Sequence, residues 1–333
     1  MITIAERFSP YTHQLGARAL IPGTVFSIRA YPARIIIEEW YLDGNNVVYD
    51  SEAMGPLDGF TLQQDLEKRC VFLLGKRDAK NLIWKFEATA DGIVLTKNKQ
   101  PELIVKKKIK TISPLKERLS LGSHKAQEWE RLILNQDVAT LLPLWLKLGQ
   151  MTPHCSSENM CSGTLSLLNE CQESTHTSVI DSLMTLLKVG FRSILFPVLD
   201  DDLFHGLTTA NCHNVSPLIL LHKGSKLIRS LFIKEDVDQI YLLPSLPPKF
   251  VAGRMTDVDL SNCCLSMEWK KKQINKLEVQ AKTNCSLLFK FNKKVSSFRV
   301  KKQRHEKGTT HSVDLPLEIQ EGTTLFLDRF IVD

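Results

Sequence analysis

The chain has 333 residues, of which 43% are hydrophobic and 24% charged, with a formal net charge of +6. That composition excludes global disorder, and the length suffices for two or three cores. No apolar run reaches the roughly 18 residues that a membrane-spanning helix needs; Ser193–Leu199 and Leu218–Leu221 are too short. Met1–Arg7 has no basic region followed by an apolar one, so no signal peptide is expected and the expected location is cytoplasmic.

Residues 1–112 read as β-rich. Arg34–Trp40 is short and β-branched, bounded by Pro32 and by the turn residues Asp43-Gly44-Asn45. Leu82, Trp84, Phe86 and Ala88 alternate with polar partners, as a half-buried antiparallel strand should, and Asp91-Gly92 supplies a tight turn.

The period changes over residues 113–236. Ser123 is a candidate N-cap for a helix with Trp129, Leu132 and Ile133 on one face. Asp137 caps a second stripe, Val138, Leu141, Leu142, Trp145 and Leu148, with Gly149 as its stop. Leu165, Leu168 and Cys171 suggest a third helix. Val179, Ile180, Leu183, Met184 and Leu187 suggest a fourth, closed by Gly190. Ser216-Pro217 opens a fifth through Leu218 to Leu231.

Residues 237–333 return to period two. Cys263, Leu265, Met267 and Trp269 alternate, as do Leu277, Val279 and Ala281, then Leu287, Phe289 and Phe291. Pro316 within Val313–Ile319 predicts an edge strand, because proline cannot donate to a ladder. The expected fold class is α+β: an N-terminal β-sandwich-like domain (1–112), a short helical middle domain (113–236) and a C-terminal antiparallel, sandwich-like β-domain (237–333).

Within that last boundary, Tyr241-Leu-Leu-Pro244-Ser-Leu-Pro247, then Gly253 and Met267-Glu-Trp269, resembles the start of the C-terminal β-domain of glycoside hydrolase family 95, the α-fucosidase-like six-hairpin glycosidases. Lys226–Ser230 resembles the last barrel helix of that family. The resemblance implies an (α/α)6 barrel between two β-domains and an inverting hydrolysis, with an acidic residue ahead of the last barrel helix helping to activate water. Two features depart from it. Arg254–Asp259 lacks the further glycines of the family's Ala-Arg-Gly-Gly-like run. Six helical hairpins also need roughly 180 residues, against about 120 between the β-rich ends, so the helical domain is expected to be a truncated barrel. The whole chain also resembles a group of similarly sized proteins of obligate intracellular bacteria, which implies no activity.

The densest acidic site is Asp200-Asp201-Asp202 with His205, and the resemblance puts one of the three aspartates in the catalytic place. Its other readings are a solvated loop or helix cap, and a divalent-cation site without the spacing of an EF-hand. His124 and Trp129, at the junction of the β-rich and helical segments, are candidate sugar-pocket residues, with Trp129 stacking on a ring; the alternative makes Trp129 the first core anchor of its helix.

The eight cysteines read as reduced thiols. His154, Cys155, Cys161, Cys171 and His176 fall close together but match no zinc spacing, and Cys171 lies in an apolar stripe. No metal and no cofactor is expected. Lysines and arginines cluster at Lys106–Lys110, Lys270–Lys272, Lys290–Lys294 and Arg299–Arg304, which would suit nucleic acid or an anionic membrane surface. Their alternation with Phe289, Phe291, Phe298 and Val300 instead favours the solvent side of strands, and without a recognition helix or aromatic RNA-binding signature nucleic acid is disfavoured. The functional expectation is a carbohydrate-related protein on a glycosidase scaffold with little or no catalysis. The alternatives are an active inverting hydrolase using Asp200–Asp202, or an interaction module that binds a protein partner through basic β-faces.

Overall fold

Period-two patterning produces long hairpins at the N-terminal end of the chain. The computed structural model describes residues 2–40, 46–50, 55–78, 80–110, 116–123, 125–153, 163–175, 177–199, 206, 215–237 and 239–332. Its first ten strands are β1 (Tyr11–Thr12), β2 (Arg18–Leu20), β3 (Phe26–Ala30), β4 (Arg34–Glu39), β5 (Val47–Asp50), β6 (Asp58–Asp65), β7 (Cys70–Arg77), β8 (Lys80–Thr89), β9 (Gly92–Lys97) and β10 (Gln100–Lys106). They form two antiparallel sheets, β2-β3-β4-β5 and β1-β6-β7-β8-β9-β10. Trp84 and Phe86 of β8 are buried while Ile83, Lys85 and Glu87 face outward, and Lys85 pairs with Glu87 at 2.5 Å.

A short strand β11 (Arg118–Ser120) leads into the helical layer: α1 (Trp129–Leu134), α2 (Val138–Gln150), α3 (Thr164–Glu173) and α4 (Val179–Gly190), the small hairpin β12 (Phe191–Arg192) and β13 (Phe196–Pro197), and α5 (Leu218–Phe232). The five apolar stripes are thus five helices among the described residues. Two expected signals work differently. Ser123 accepts a hydrogen bond from the Thr140 hydroxyl at 2.6 Å, well before α1 begins. Gly149 is the penultimate residue of α2, and glycine is needed there because α5 crosses: a Cβ on Gly149 would sit 2.4 Å from the Leu221 carbonyl oxygen. Next to that crossing, the buried Trp145 indole donates to the same carbonyl at 3.2 Å.

The C-terminal strands are β14 (Ile233–Asp236), β15 (Gln239–Leu242), β16 (Gly253–Asp259), β17 (Cys263–Lys270), β18 (Gln273–Ala281), β19 (Cys285–Phe291), β20 (Val295–Lys301), β21 (Thr309–Ser312), β22 (Leu317–Ile319) and β23 (Thr324–Val332). They make a seven-stranded antiparallel sheet, β11-β16-β17-β18-β23-β20-β21, and a four-stranded sheet, β14-β15-β19-β22. Phe289 of the smaller sheet meets Phe298 of the larger edge-on at 6.4 Å. The fold is α+β and mostly antiparallel; among the named strands of the described residues β15 pairs with β19 in parallel. Pro316 directly precedes β22, which is an edge strand. After β15, Leu243 takes φ +56° and its amide donates to the Phe232 carbonyl at 2.8 Å, tying the proline-rich turn to the end of α5.

The segments interleave. β11 and β14, from the stretch read as helical, join the C-terminal sheets. The N-terminal segment, residues 2–10, reaches the same region, where Arg254 donates to the Thr3 carbonyl at 3.3 Å and Arg118 to that of Glu6. At the centre of this junction lies Glu117, 2% exposed. Its carboxylate accepts from Arg229 Nε of α5 at 3.0 and 3.1 Å, from Gln150 Nε2 of α2 at 2.8 Å and from the Asp259 amide of β16 at 3.0 Å. Removing one partner of a buried pair strands the other charge, whereas replacing both with apolar groups does not. Glu117→Ala is therefore expected to cost about 3 kcal/mol in urea denaturation, and the double replacement Glu117→Leu with Arg229→Met to recover only the part due to the stranded Arg229 charge, since Gln150 and the Asp259 amide still lose their acceptor.

Candidate binding groove on the C-terminal sheet

Of the residues singled out in the sequence, Asp200, Asp201, Asp202, His205 and His124 lie outside the described residues. The segment leading to the aspartates is anchored, since the Thr164 hydroxyl at the start of α3 donates to the Val198 carbonyl at 2.8 Å and Leu199 is buried. Trp129 is 5% exposed and belongs to the hydrophobic core with Leu132. It lies in the core at the start of α1, as the reading that makes it the first core anchor of its helix expects. Cys171 is buried in α3, and burial pushes its thiol up to about 12, with the Glu170 charge adding to the effect. Among the described residues, no group of three or more His, Cys, Asp or Glu side chains could hold a metal ion; His154, Cys155, Cys161 and His176 lie outside them.

The groups that the fold does bring together are on the outer face of the seven-stranded sheet. Side chains of a strand alternate between faces, so residues in register across strands share a face. Ser120 pairs with Arg254, Arg254 with Glu268, Glu268 with Lys276, Lys276 with Asp328, Asp328 with Arg299 and Arg299 with Thr310. One row thus crosses all seven strands, and its five central members alternate in sign. Opposite charges directly across a strand pair each contribute roughly 0.2–1 kcal/mol. The next row on the same face runs Ser266, Glu278, Phe326 and Lys301.

The row is fixed by ion pairs. Arg254 Nε lies 3.1 Å from Glu268, and Lys276 Nζ lies 3.5 Å from it. Asp328 accepts from Arg299 at 2.6 and 2.8 Å and from Lys301 at 2.8 Å. Arg304, from the β20–β21 loop, reaches Glu278 at 3.2 Å. Above these side chains is a groove of about 390 Å³, closed on one side by Ile2 and Thr3. A second cleft of about 590 Å³ continues past Thr3 and Arg254 between Glu6, Ser120 and Phe250. Gly253 sits at its floor, where a Cβ would fall 2.3 Å from the Trp269 ring and 2.7 Å from the Ser120 carbonyl. Only glycine lets β11 and the buried Trp269 approach there.

The surroundings set the charge states. Burial alone would raise the Glu268 carboxyl, but the Asn275 hydrogen bond and the charges of Lys276 and Arg254 together hold it below its ordinary value. The Arg299 hydrogen bond, helped by Lys301, holds Asp328 low. Glu278 is raised by burial, against the opposing pull of the Ile2 amide and Lys276. The row therefore offers ionised acceptors at Glu268 and Asp328 between lysine and arginine donors.

Comparison with protein-family models and with curated proteins finds no match. The row had a partial signature in the sequence, namely charged residues alternating with core residues in each strand. The register that aligns them depends on pairings between distant segments.

Asp328→Asn is expected to lower the melting temperature at neutral pH. The folded carboxyl titrates below its ordinary 3.8, so its stabilisation is complete above that pH and is lost as the pH falls through the depressed value. Thermal melts of both proteins from about pH 7 to about pH 2 should show the difference closing at the acid end; a constant difference would deny the ion pair its role.

Proposed function

We propose that the chain is a carbohydrate-binding protein that holds its ligand along the charge row, with binding rather than bond cleavage as its function. The supporting observation is the alternation Arg254, Glu268, Lys276, Asp328, Arg299 in one register. Adjacent strands stand about 4.8 Å apart, comparable with the length of one sugar ring. Successive rings along the row would meet a fixed donor, then a fixed acceptor, each already oriented by its neighbours. Fixed polar groups bind hydroxyls without the entropic cost of ordering long side chains. Phe326, half-buried in the next row, lies under the Arg304 guanidinium, 5.3 Å from its ring centre, which fixes that cation beside the hydroxyl-binding groups.

The charge balance favours a neutral polyol over a polyanion. Glu268, Glu278 and Asp328 would each face an anionic ligand, and their cations are engaged with them. The resemblance of Tyr241–Pro247 to a glycosidase β-domain points to the same ligand class. The hydrolase alternative rests on Asp200–Asp202, outside the described residues, and on a second carboxyl group that no motif identifies. An inverting hydrolysis needs a protonated acid; Glu268 and Asp328 are both held ionised, and Glu278, the groove carboxyl that burial raises, is engaged by Arg304 at 3.2 Å.

Isothermal calorimetry against neutral oligosaccharides tests the reading. Binding is expected in the wild type and is expected to weaken at least tenfold in Lys276→Ala and in Glu268→Gln, with melting curves as the control for folding. No binding at millimolar concentration, or binding that both variants leave unchanged, would remove the row from the account.

A further inference from the structure

A different surface lies at one end of the same sheet, where cations gather on turns whose described residues include no Asp or Glu. The β17–β18 turn is Lys271-Lys272, closed by the Lys270–Gln273 pair. The Lys272 amide donates to the Val251 carbonyl at 2.8 Å, which brings Lys249 and Val251 alongside. Asn292 donates to the Lys272 carbonyl at 2.9 Å, which brings up the β19–β20 turn with Lys293. Val295 pairs with Val332, so the end of β23, with Arg329 and Ile331, completes the rim. Residues 245–252, 270–273, 290–295 and 329–332 contain no Asp or Glu; Asp333, the next in line, lies outside the described residues. Glu268, inside the sheet, is the carboxylate nearest in register, 3.8 Å from Lys270.

Two more observations concern this rim. Lys271 and Lys272 occupy φ +51° and +61°. A two-residue turn with both centres at positive φ favours Asn-Gly, so two lysines hold that place at a steric cost. Val251 and Ile331 are 50% and 56% exposed among these cations. No Trp, Tyr or Phe of the described residues falls in the fully exposed class.

We propose that this end of the sheet docks peripherally on an anionic lipid bilayer, with the lysines at the headgroup phosphates and carboxylates and Val251 and Ile331 entering the headgroup boundary. Juxtaposed lysines add their attraction to a negatively charged leaflet within a Debye length of it. Exposed aliphatic side chains gain by leaving water for the lipid interface, and a polynucleotide offers them no such place. A nucleic-acid surface would instead present rings for base stacking or a helix for a groove, and this rim consists of lysine turns. The proposal does not depend on the ligand of the groove.

Vesicle flotation tests it, with phosphatidylcholine vesicles and with vesicles also containing phosphatidylserine. The full chain is expected to float with the second kind only. Each of Lys271→Glu and Lys293→Glu, at exposed turn positions, is expected to weaken that binding about fivefold, and their combination with Lys272→Glu on the order of 100-fold. Replacing Val251 and Ile331 by serine is expected to weaken it several-fold while the melting temperature holds. Four results would overturn the proposal: no flotation with phosphatidylserine vesicles, equal flotation with neutral ones, a combined loss below tenfold, or displacement from the vesicles by short duplex DNA at equal phosphate concentration. The last would make a polynucleotide the partner.

Discussion

The structure depends on one buried carboxylate. Glu117 receives hydrogen bonds from α5, from α2 and from the backbone of β16, and β11 begins at the next residue. A carboxylate taken out of water requires compensation on all its lone pairs, and here each compensating group comes from a different element. The helical layer cannot slide along the C-terminal sheet without stranding that charge. Around this point, Gly149 lets α5 lie against α2, and Gly253 lets β11 lie against Trp269. The position of β11 in turn places Ser120 at one end of the polar row and the N-terminal segment along one wall of the groove.

Charge is used in two ways on the C-terminal sheet. Across its outer face, cations and carboxylates alternate in register, so each fixes its neighbour. At the turn-bearing end, lysines collect in loops that contain no acid. Both arrangements are built mainly of lysine and arginine on a β-surface, and they differ in what lies beside each cation. A surface of paired charges presents oriented donors and acceptors. A surface of unbalanced charges presents a field. The first suits a hydroxyl-rich ligand, and the second suits an anionic plane.

Much of the fold was legible because burial imposes local periods. The alternation in β8, β17, β18 and β19 and the stripes of all five helices were readable from neighbouring residues alone. Trp129 was readable as a core anchor through the same stripe that places Leu132 beside it. Signals whose meaning depends on a distant partner were only partly legible. Gly149 reads as a helix stop and is the penultimate residue of α2, but only the chain crossing it, 72 residues later at Leu221, shows why no side chain fits. Ser123 resembles a cap because its actual partner, Thr140, belongs to the next helix. The parallel pairing of β15 with β19 and the row from Ser120 to Thr310 arise from registers between remote strands, and the alternation within a single strand carries no information about register. The acidic triple Asp200–Asp202 stood out by density, whereas Glu268 and Asp328 each stand alone in the sequence and become a set only through strand pairing.

Hydrogen–deuterium exchange with and without a saturating pool of neutral oligosaccharides tests the central claim most directly, because it reports where a ligand sits. The account predicts added protection in Ser266–Lys276 and Phe326–Asp328, the strands that carry the row, with the helical layer unchanged. Protection confined to Gly163–Leu168 and Val198–Leu199, beside the acidic triple, would contradict it and return the binding site to the helical segment.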